Sequence, residues 1–279
     1  MNFLNWLRVV VLGIVEGITE WLPISSTGHL IILNELWKGN PTVFTESYVE
    51  MFDVIIQLGA ILAVVTVFFH KLNPFSSYKT PEQKRNTWAL WGKVVIAAIP
   101  AALIGFLFDD LMDEYLYNWW VVAIMLIVVG AAFILIERLH RKDPHIMRFS
   151  QLTIKTALFI GVFQILALIP GTSRSGITII GALLLGCSRY IATEFTFYLA
   201  IPIMFGASAL KLVKYFIKGG SFTLTQGIAL GLAMIVAYAV SIFIIKFLMA
   251  FVKRHDFKPF GVYRIVLGFI VIILFGLIL

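Results

Sequence analysis

Residues 16–29 read Glu16-Gly17-Ile18-Thr19-Glu20-Trp21-Leu22-Pro23-Ile24-Ser25-Ser26-Thr27-Gly28-His29, a polar loop set inside an otherwise apolar stretch that runs from 5 to 36. A second apolar stretch, 152–186, is broken in the middle by Pro170-Gly171-Thr172-Ser173-Arg174-Ser175-Gly176-Ile177-Thr178. Each half is too short to cross a bilayer, which takes about 20 apolar residues in a helix. A re-entrant hairpin fits: helix in, loop near mid-depth, helix back out on the same side. Two kinked spans or two short surface helices are the alternatives, but they leave the polar loops without partners. Non-helical backbone at that depth is tolerated only when it is buried in protein or faces a wet cavity. Carboxylates, a histidine and an arginine at such a depth are costly, so they mark a functional site.

The composition around these loops fits a membrane setting. The chain has 279 residues, 60% hydrophobic and 13% charged, with a mean hydropathy of +0.95. No soluble domain needs that much apolar surface; a polytopic membrane protein does. The net charge of +7 is what cytoplasmic loops rich in Lys and Arg produce, so nucleic acid is not an expected partner. Cys187 is the only cysteine, which excludes an intrachain disulfide. Arg8 precedes an apolar run as in a signal peptide. However, Glu16 and Glu20 interrupt that run and Trp21-Leu22-Pro23 is not a small-residue cleavage site, so this segment is expected to be retained.

Six stretches are long enough to span: 48–70, 87–108, 119–139, 190–213, 224–250 and 259–279. The order is hairpin, three spans, hairpin, three spans. A hairpin adds no crossing and three is odd, so the second half enters the membrane inverted. The expected fold is therefore an all-α polytopic membrane protein: six transmembrane helices plus two re-entrant helical hairpins in an inverted-topology repeat. It forms one domain over 1–279, with pseudo-repeats at 5–139 and 152–279. Such repeats place their site at the repeat interface near the midplane. A shift of 148 residues aligns Gly13 with Gly161, Ser25 with Ser173, Gly28 with Gly176, Ile31-Ile32 with Ile179-Ile180, and Glu16 with Gln164.

Charge sets the orientation. Lys79, Lys84, Arg85, Arg138, Arg141, Lys142, Arg148, Lys253 and Arg254 fall on one side. The other side carries Glu46, Glu50, Asp109, Asp110, Asp113 and Glu114, with Lys214 and Lys218 as exceptions. The basic side is cytoplasmic, which puts both termini outside, the first hairpin entering from outside and the second from the cytoplasm. Their tips can then meet.

Glu16 and Glu20, four apart, share a helix face. Two carboxylates in low dielectric disfavour each other's charge unless a metal ion, an arginine or a protonated histidine intervenes; a hydrogen-bonded structural pair is the alternative. Ser25-Ser26-Thr27-Gly28 reads as a helix start, whose N–H groups and positive dipole end make an anion site. His29, beside hydroxyls and carboxylates, is a candidate acid–base. In the second loop Thr172-Ser173-Arg174-Ser175-Gly176 adds hydroxyls and a guanidinium suited to bidentate phosphate binding, unless Arg174 simply pairs with Glu16 or Glu20. Read physically, the loops form a membrane site for an anionic, phosphorylated amphiphile. Gln57 is expected near it. Phe195, Phe197 and Tyr198 read as packing, Gly130, Gly206 and Gly231 as close helix contacts, and Lys246 and Arg264 as snorkelling side chains.

Glu16-Gly17-Ile18-Thr19-Glu20 followed by Ser25-Ser26-Thr27-Gly28-His29 resembles the E/Q-x-x-x-E and S-S-T-G-H signature of the bacterial undecaprenyl-diphosphate phosphatases, also called bacitracin resistance proteins. Pro170 to Thr178 resembles their P-G-x-S-R-S-G-x-T element. Phe52 to Gly59 and Ser188 to Phe195 also resemble family segments. The resemblance implies hydrolysis of a C55 polyprenyl diphosphate to the monophosphate and inorganic phosphate in the bacterial plasma membrane. It also implies a site opening to the extracytoplasmic side and a divalent cation, Mg²⁺ or Ca²⁺. By position, Ser26 resembles the nucleophile, with His29 beside it, and Arg174 resembles the diphosphate clamp.

In this reading Ser26, His29, Glu20 and Arg174 are catalytic. Ser25, Thr27, Gly28, Ser173, Ser175, Gly176, Thr178 and Gln57 bind substrate, and Glu16 and Glu20 hold the metal. His29, oriented by Glu20, takes the Ser26 proton. Two variants stay open: His29 as the nucleophile, or direct attack by water. A lipid-phosphate transporter or flippase shares every feature except the need for a hydroxyl nucleophile. An ion channel fits poorly, because the charged loops would bind too selectively. A homodimer is compatible with the sequence.

Overall fold

The computed structural model describes residues 2–278 apart from 38, 40, 42, 117 and 140–143. Arg141 and Lys142 lie outside the described residues, as do the side chains at 109, 110, 113 and 114. Among the described residues the architecture is helical. There is no strand, and one isolated bridge pairs Ile146 with Cys187.

Six segments are long and apolar enough to cross a membrane: Glu46–Val67, Pro81–Phe108, Trp119–Leu139, Arg189–Ile217, Leu224–Phe251 and Lys258–Gly276. They correspond one for one to the six expected stretches. The first is two helices joined at Ile56. The two interrupted stretches instead form pairs of shorter helices: α1 (Phe3–Thr19) with α2 (Ser26–Leu36), then α8 (Ile154–Ile165) with α9 (Arg174–Leu184). At 1.5 Å per residue α1, with 17 residues, reaches about 25 Å, and α2, α8 and α9, with 11, 12 and 11, reach about 16–18 Å. All fall short of the ~30 Å hydrocarbon core.

The long helices are α3 (Glu46–Ile55) with α4 (Gln57–Val67), α6 (Pro81–Leu116), α7 (Trp119–Leu139), α10 (Arg189–Ile217), α11 (Leu224–Phe251) and α12 (Lys258–Ile273), with the short α5 (Phe69–Leu72) between α4 and α6. α1 packs along α11, and α8 packs along α6. α4 touches both α10 and α11, α10 also touches α6, and α7 lies against α12. Glycine allows two of these approaches. A Cβ on Gly13 would sit 2.7 Å from the Ala233 carbonyl oxygen of α11, and one on Gly161 would sit 2.1 Å from that of Ala97 in α6. These are the same two positions that a 148-residue shift aligns.

The core holds Phe195, Phe197 and Tyr198 with no exposed surface, as their reading as packing residues requires. A Cβ on Gly130 would sit 2.7 Å from the Gly261 carbonyl oxygen of α12, so this glycine does allow a close helix approach. Gly206 and Gly231 do not behave this way: nothing lies within 4 Å of a Cβ placed on either, so they are not packing glycines here.

Candidate active site

Both short helix pairs turn through the same local geometry. Ser25 and Ser173 precede the first residues of α2 and α9, with φ of 76° and 70°. Left-handed backbone at a non-glycine residue costs about 1–3 kcal/mol and persists where surrounding contacts hold it. Here each serine hydroxyl accepts the N–H of the glycine three residues on, Gly28 at 3.3 Å and Gly176 at 3.1 Å. The strained caps start α2 at Ser26 and α9 at Arg174, with N-termini whose first N–H groups have no intrahelical acceptor.

Glu20 joins the two loops. The Ser26 hydroxyl donates to its Oε2 at 2.9 Å, and the Arg174 guanidinium donates to its Oε1 at 3.0 Å. The Ser175 hydroxyl donates to the Glu20 backbone carbonyl at 3.1 Å and shares a 3.2 Å contact with the Ser173 hydroxyl. A second guanidinium nitrogen of Arg174 donates to the Thr196 carbonyl at 3.1 Å, and Thr196 in turn donates to the Thr178 hydroxyl at 2.9 Å. The Glu20–Arg174 pair is almost dry, with side-chain exposures of 8% and 11%. Its charges are therefore little screened, and its hydrogen bonds are of the strong, charge-assisted kind. Ser26, Glu20, Arg174, Ser173, Ser175 and Thr178 thus form one cluster, as the sequence suggests.

His29 is oriented differently from expectation. Its Nδ1 lies 2.7 Å from the Ser25 carbonyl and its Nε2 lies 2.7 Å from the Tyr263 hydroxyl. A carbonyl only accepts, so Nδ1 carries a proton. Glu20 contacts Ser26 directly instead of acting through His29. No side-chain hydrogen bond connects Gln57 or Thr27 to the cluster among the described residues; Gln57 opens α4, half-buried.

Glu16 sits one turn before Glu20, fully buried, and neither carboxylate oxygen has a hydrogen-bond partner. Gln164, its counterpart under the 148-residue shift, is buried with both polar atoms unpartnered as well. An orphaned carboxylate beside a second carboxylate is an arrangement that an oxygen-ligated cation completes. No group of three His, Cys, Asp or Glu among the described residues is placed to hold a metal, so such an ion would take its remaining oxygens from water and substrate.

Arg264 is the residue the sequence reading missed. It does not snorkel: it is fully buried. Its guanidinium donates to the carbonyls of Pro23 at 3.2 Å, Gly171 at 2.8 Å and Thr172 at 3.0 Å, and reaches Met125 at 3.4 Å. One side chain from α12 therefore ties down the first loop, the second loop and α7. The loops have no intra-segment partners for these carbonyls, and a buried cation supplies the donors. The available signal was that Pro-Gly loops set inside apolar stretches need such donors.

The chain matches the family described as bacitracin resistance protein BacA over residues 9–270. The undecaprenyl-diphosphatase of Acetivibrio thermocellus is 56% identical over 273 residues, covering 98% of each chain. That of Enterococcus faecalis is 54% identical over 273 residues, again 98% of each. That of Lactiplantibacillus plantarum is 54% identical over 276 residues, 99% of each.

Proposed function

This chain belongs to the bacitracin resistance protein BacA family, and from that premise we propose that it hydrolyses undecaprenyl diphosphate to undecaprenyl phosphate and inorganic phosphate, recycling the lipid carrier for cell-wall synthesis. The observation that carries the reading is the Ser26–Glu20–Arg174 chain of hydrogen bonds that joins the two loops.

The Ser26 hydroxyl is the nucleophile. It needs a base, and the Glu20 carboxylate it donates to at 2.9 Å takes the proton as the oxygen attacks the terminal phosphorus. The phosphoanhydride bond breaks and undecaprenyl phosphate leaves. Water then attacks the serine phosphate and frees inorganic phosphate. Arg174 and the N-termini of α2 and α9 neutralise charge on the phosphoryl oxygens, and such positioning and charge stabilisation dominate phosphoryl transfer. Ser173, Ser175 and Thr178 orient the guanidinium and the second loop. His29, with Nδ1 on the Ser25 carbonyl, fixes the first turn of α2 and offers Nε2 to the headgroup when Tyr263 yields. A divalent cation such as Mg²⁺ or Ca²⁺, held by Glu16 with Glu20, would supply further charge neutralisation.

The hairpins are re-entrant and the two halves form an inverted repeat. Three parallels support this: the paired strained serines, the paired unpartnered Glu16 and Gln164, and the matching approaches of α1 to α11 and α8 to α6. The basic loops face the cytoplasm, so both termini lie outside; membership of the family adds the bacterial plasma membrane and a site that opens outward. A carrier of lipid phosphate would draw on the same repeat. Phosphate release by purified protein in detergent, where no gradient exists, separates the two. Trapping a phosphoenzyme tests the mechanism: label on Ser26 supports it, whereas label on His29, or none with turnover intact, overturns it.

A further inference from the structure

A cavity of about 630 Å³ opens on the basic face of the molecule, between α5, the start of α6, the 147–149 segment and the start of α10. Its lining includes Lys71, Lys79 and Arg148, with Glu194 as the only carboxylate among the described residues, so the described wall carries an excess of positive charge. The Lys71 ammonium bonds Glu194 at 2.5 Å, and Tyr198 donates to the same carboxylate oxygen. Glu194 is 1% exposed, so its charge is spent inside the wall. Lys79 donates to the Lys71 carbonyl and the Thr87 hydroxyl, which uses two of three ammonium donors. Burial holds its pKa below the ordinary lysine range, and an anion brought alongside would restore it. Arg148 is exposed at the rim.

The mouth lies at a level marked by aromatic side chains. Tyr78 at the rim is 94% exposed, and Phe75 and Trp88, next in sequence to the lining residues Ser76 and Thr87, pack edge to face on each other, 77% and 54% exposed. Exposed Trp and Tyr collect at the membrane–water interface, and basic pockets between transmembrane helices at that level suit phosphate headgroups. The cavity is separate from the loops that carry Ser26 and Arg174. Tyr198 at its floor packs on Phe68, Phe68 on Phe197 and Phe197 on Trp21, and the Arg174 guanidinium lies on the far side, 6.0 Å from the Trp21 ring.

We propose that this cavity is a second anion site, one that takes a phosphate group at the membrane interface, with Lys79 and Arg148 as its reading cations. The phosphate can belong to an anionic lipid headgroup or be free in solution.

The test uses the full-length protein purified in detergent. Binding of phosphatidylglycerol and of phosphatidylcholine is measured by native mass spectrometry, and binding of labelled inorganic phosphate by equilibrium dialysis. Wild type is compared with Lys79→Gln/Arg148→Gln and with a charge-matched control outside the lining, Lys84→Gln/Arg85→Gln. Loss of two interfacial cations lowers affinity roughly thirtyfold. A loss of that order confined to the first variant supports the site: if seen with phosphatidylglycerol and not phosphatidylcholine, the source is lipid, and if seen only with inorganic phosphate, the source is solution. Product phosphate held by the Ser26 and Arg174 loops is common to all three proteins and drops out of the comparison. Unchanged binding of both anions in Lys79→Gln/Arg148→Gln overturns the proposal, and so does an equal loss in the control.

Discussion

Replacing Arg264 by Met removes the guanidinium while keeping the length of the side chain, and it strips donors from carbonyls in both loops at once. The bonds to Pro23, Gly171 and Thr172 are 3.2, 2.8 and 3.0 Å, all in a fully buried site. A hydrogen bond from a charged donor contributes about 1.5–3 kcal/mol, and a buried acceptor left unpaired costs about 1–3 kcal/mol. The three are not additive, and removing a buried charge recovers some desolvation. A net destabilisation on the order of 3–5 kcal/mol in loop placement is therefore expected. Loops released by that much lose registry, and displacement of a reacting group by about 1 Å is enough for a 10²-fold loss of rate. In a phosphate-release assay on polyprenyl diphosphate, Arg264→Met is expected to lower kcat about 10²-fold while KM changes little, because Arg264 touches no substrate. Arg264→Lys, which can still serve one carbonyl, should fall between. Thermal unfolding in detergent reports whether either variant remains folded. A folded Arg264→Met protein with wild-type kcat would show that the loops keep their places without the guanidinium.

Further outcomes follow from the same contacts. Ser26→Ala should lose at least ~10³-fold in kcat and no longer form a phosphoenzyme, because the nucleophile is gone; near-normal turnover would leave water as the attacking group. Glu16→Gln should raise the divalent-cation concentration needed for half-maximal activity about tenfold or more, since a two-carboxylate oxygen site loses one of its charges; an unchanged requirement removes Glu16 as a ligand. Tyr263→Phe deletes one partner of the His29 ring and keeps the stacked ring itself, 5.7 Å between centroids. Because the Nδ1 bond to Ser25 remains, a modest effect of about 3–10-fold on KM is expected, and a collapse of kcat would show that Tyr263 does more than position the imidazole.

The sequence made the broad architecture legible because membrane helices announce themselves by length and polarity. All six expected spans coincide with helices, and both interrupted stretches become short helix pairs whose second members start at Ser26 and Arg174. The meeting of the loops was legible for a related reason: Glu20, Ser26 and Arg174 are polar side chains where polarity is expensive, and they bond to one another. What stayed hidden was pairing across the chain. That Glu20 would bond Ser26 directly, leaving His29 to Ser25 and Tyr263, depends on side-chain directions fixed by the strained serine caps. Arg264 was hidden because, by position in α12, it looks like a side chain able to reach the interface. Its burial is set by loop carbonyls contributed from residues more than ninety positions away. Gly206 and Gly231 misled in the opposite sense, since glycine in a transmembrane helix need not mark a helix–helix contact.

The two loops act as one site through the Glu20–Arg174 contact, and a double-mutant cycle measures that coupling. Glu20→Gln, Arg174→Gln and the combined variant are compared by kcat/KM for phosphate release from undecaprenyl diphosphate. If the residues work as a unit, the double variant is little worse than the more damaged single one, because residues of one catalytic constellation are strongly non-additive. If the losses instead multiply, the two residues act independently and the shared site does not exist.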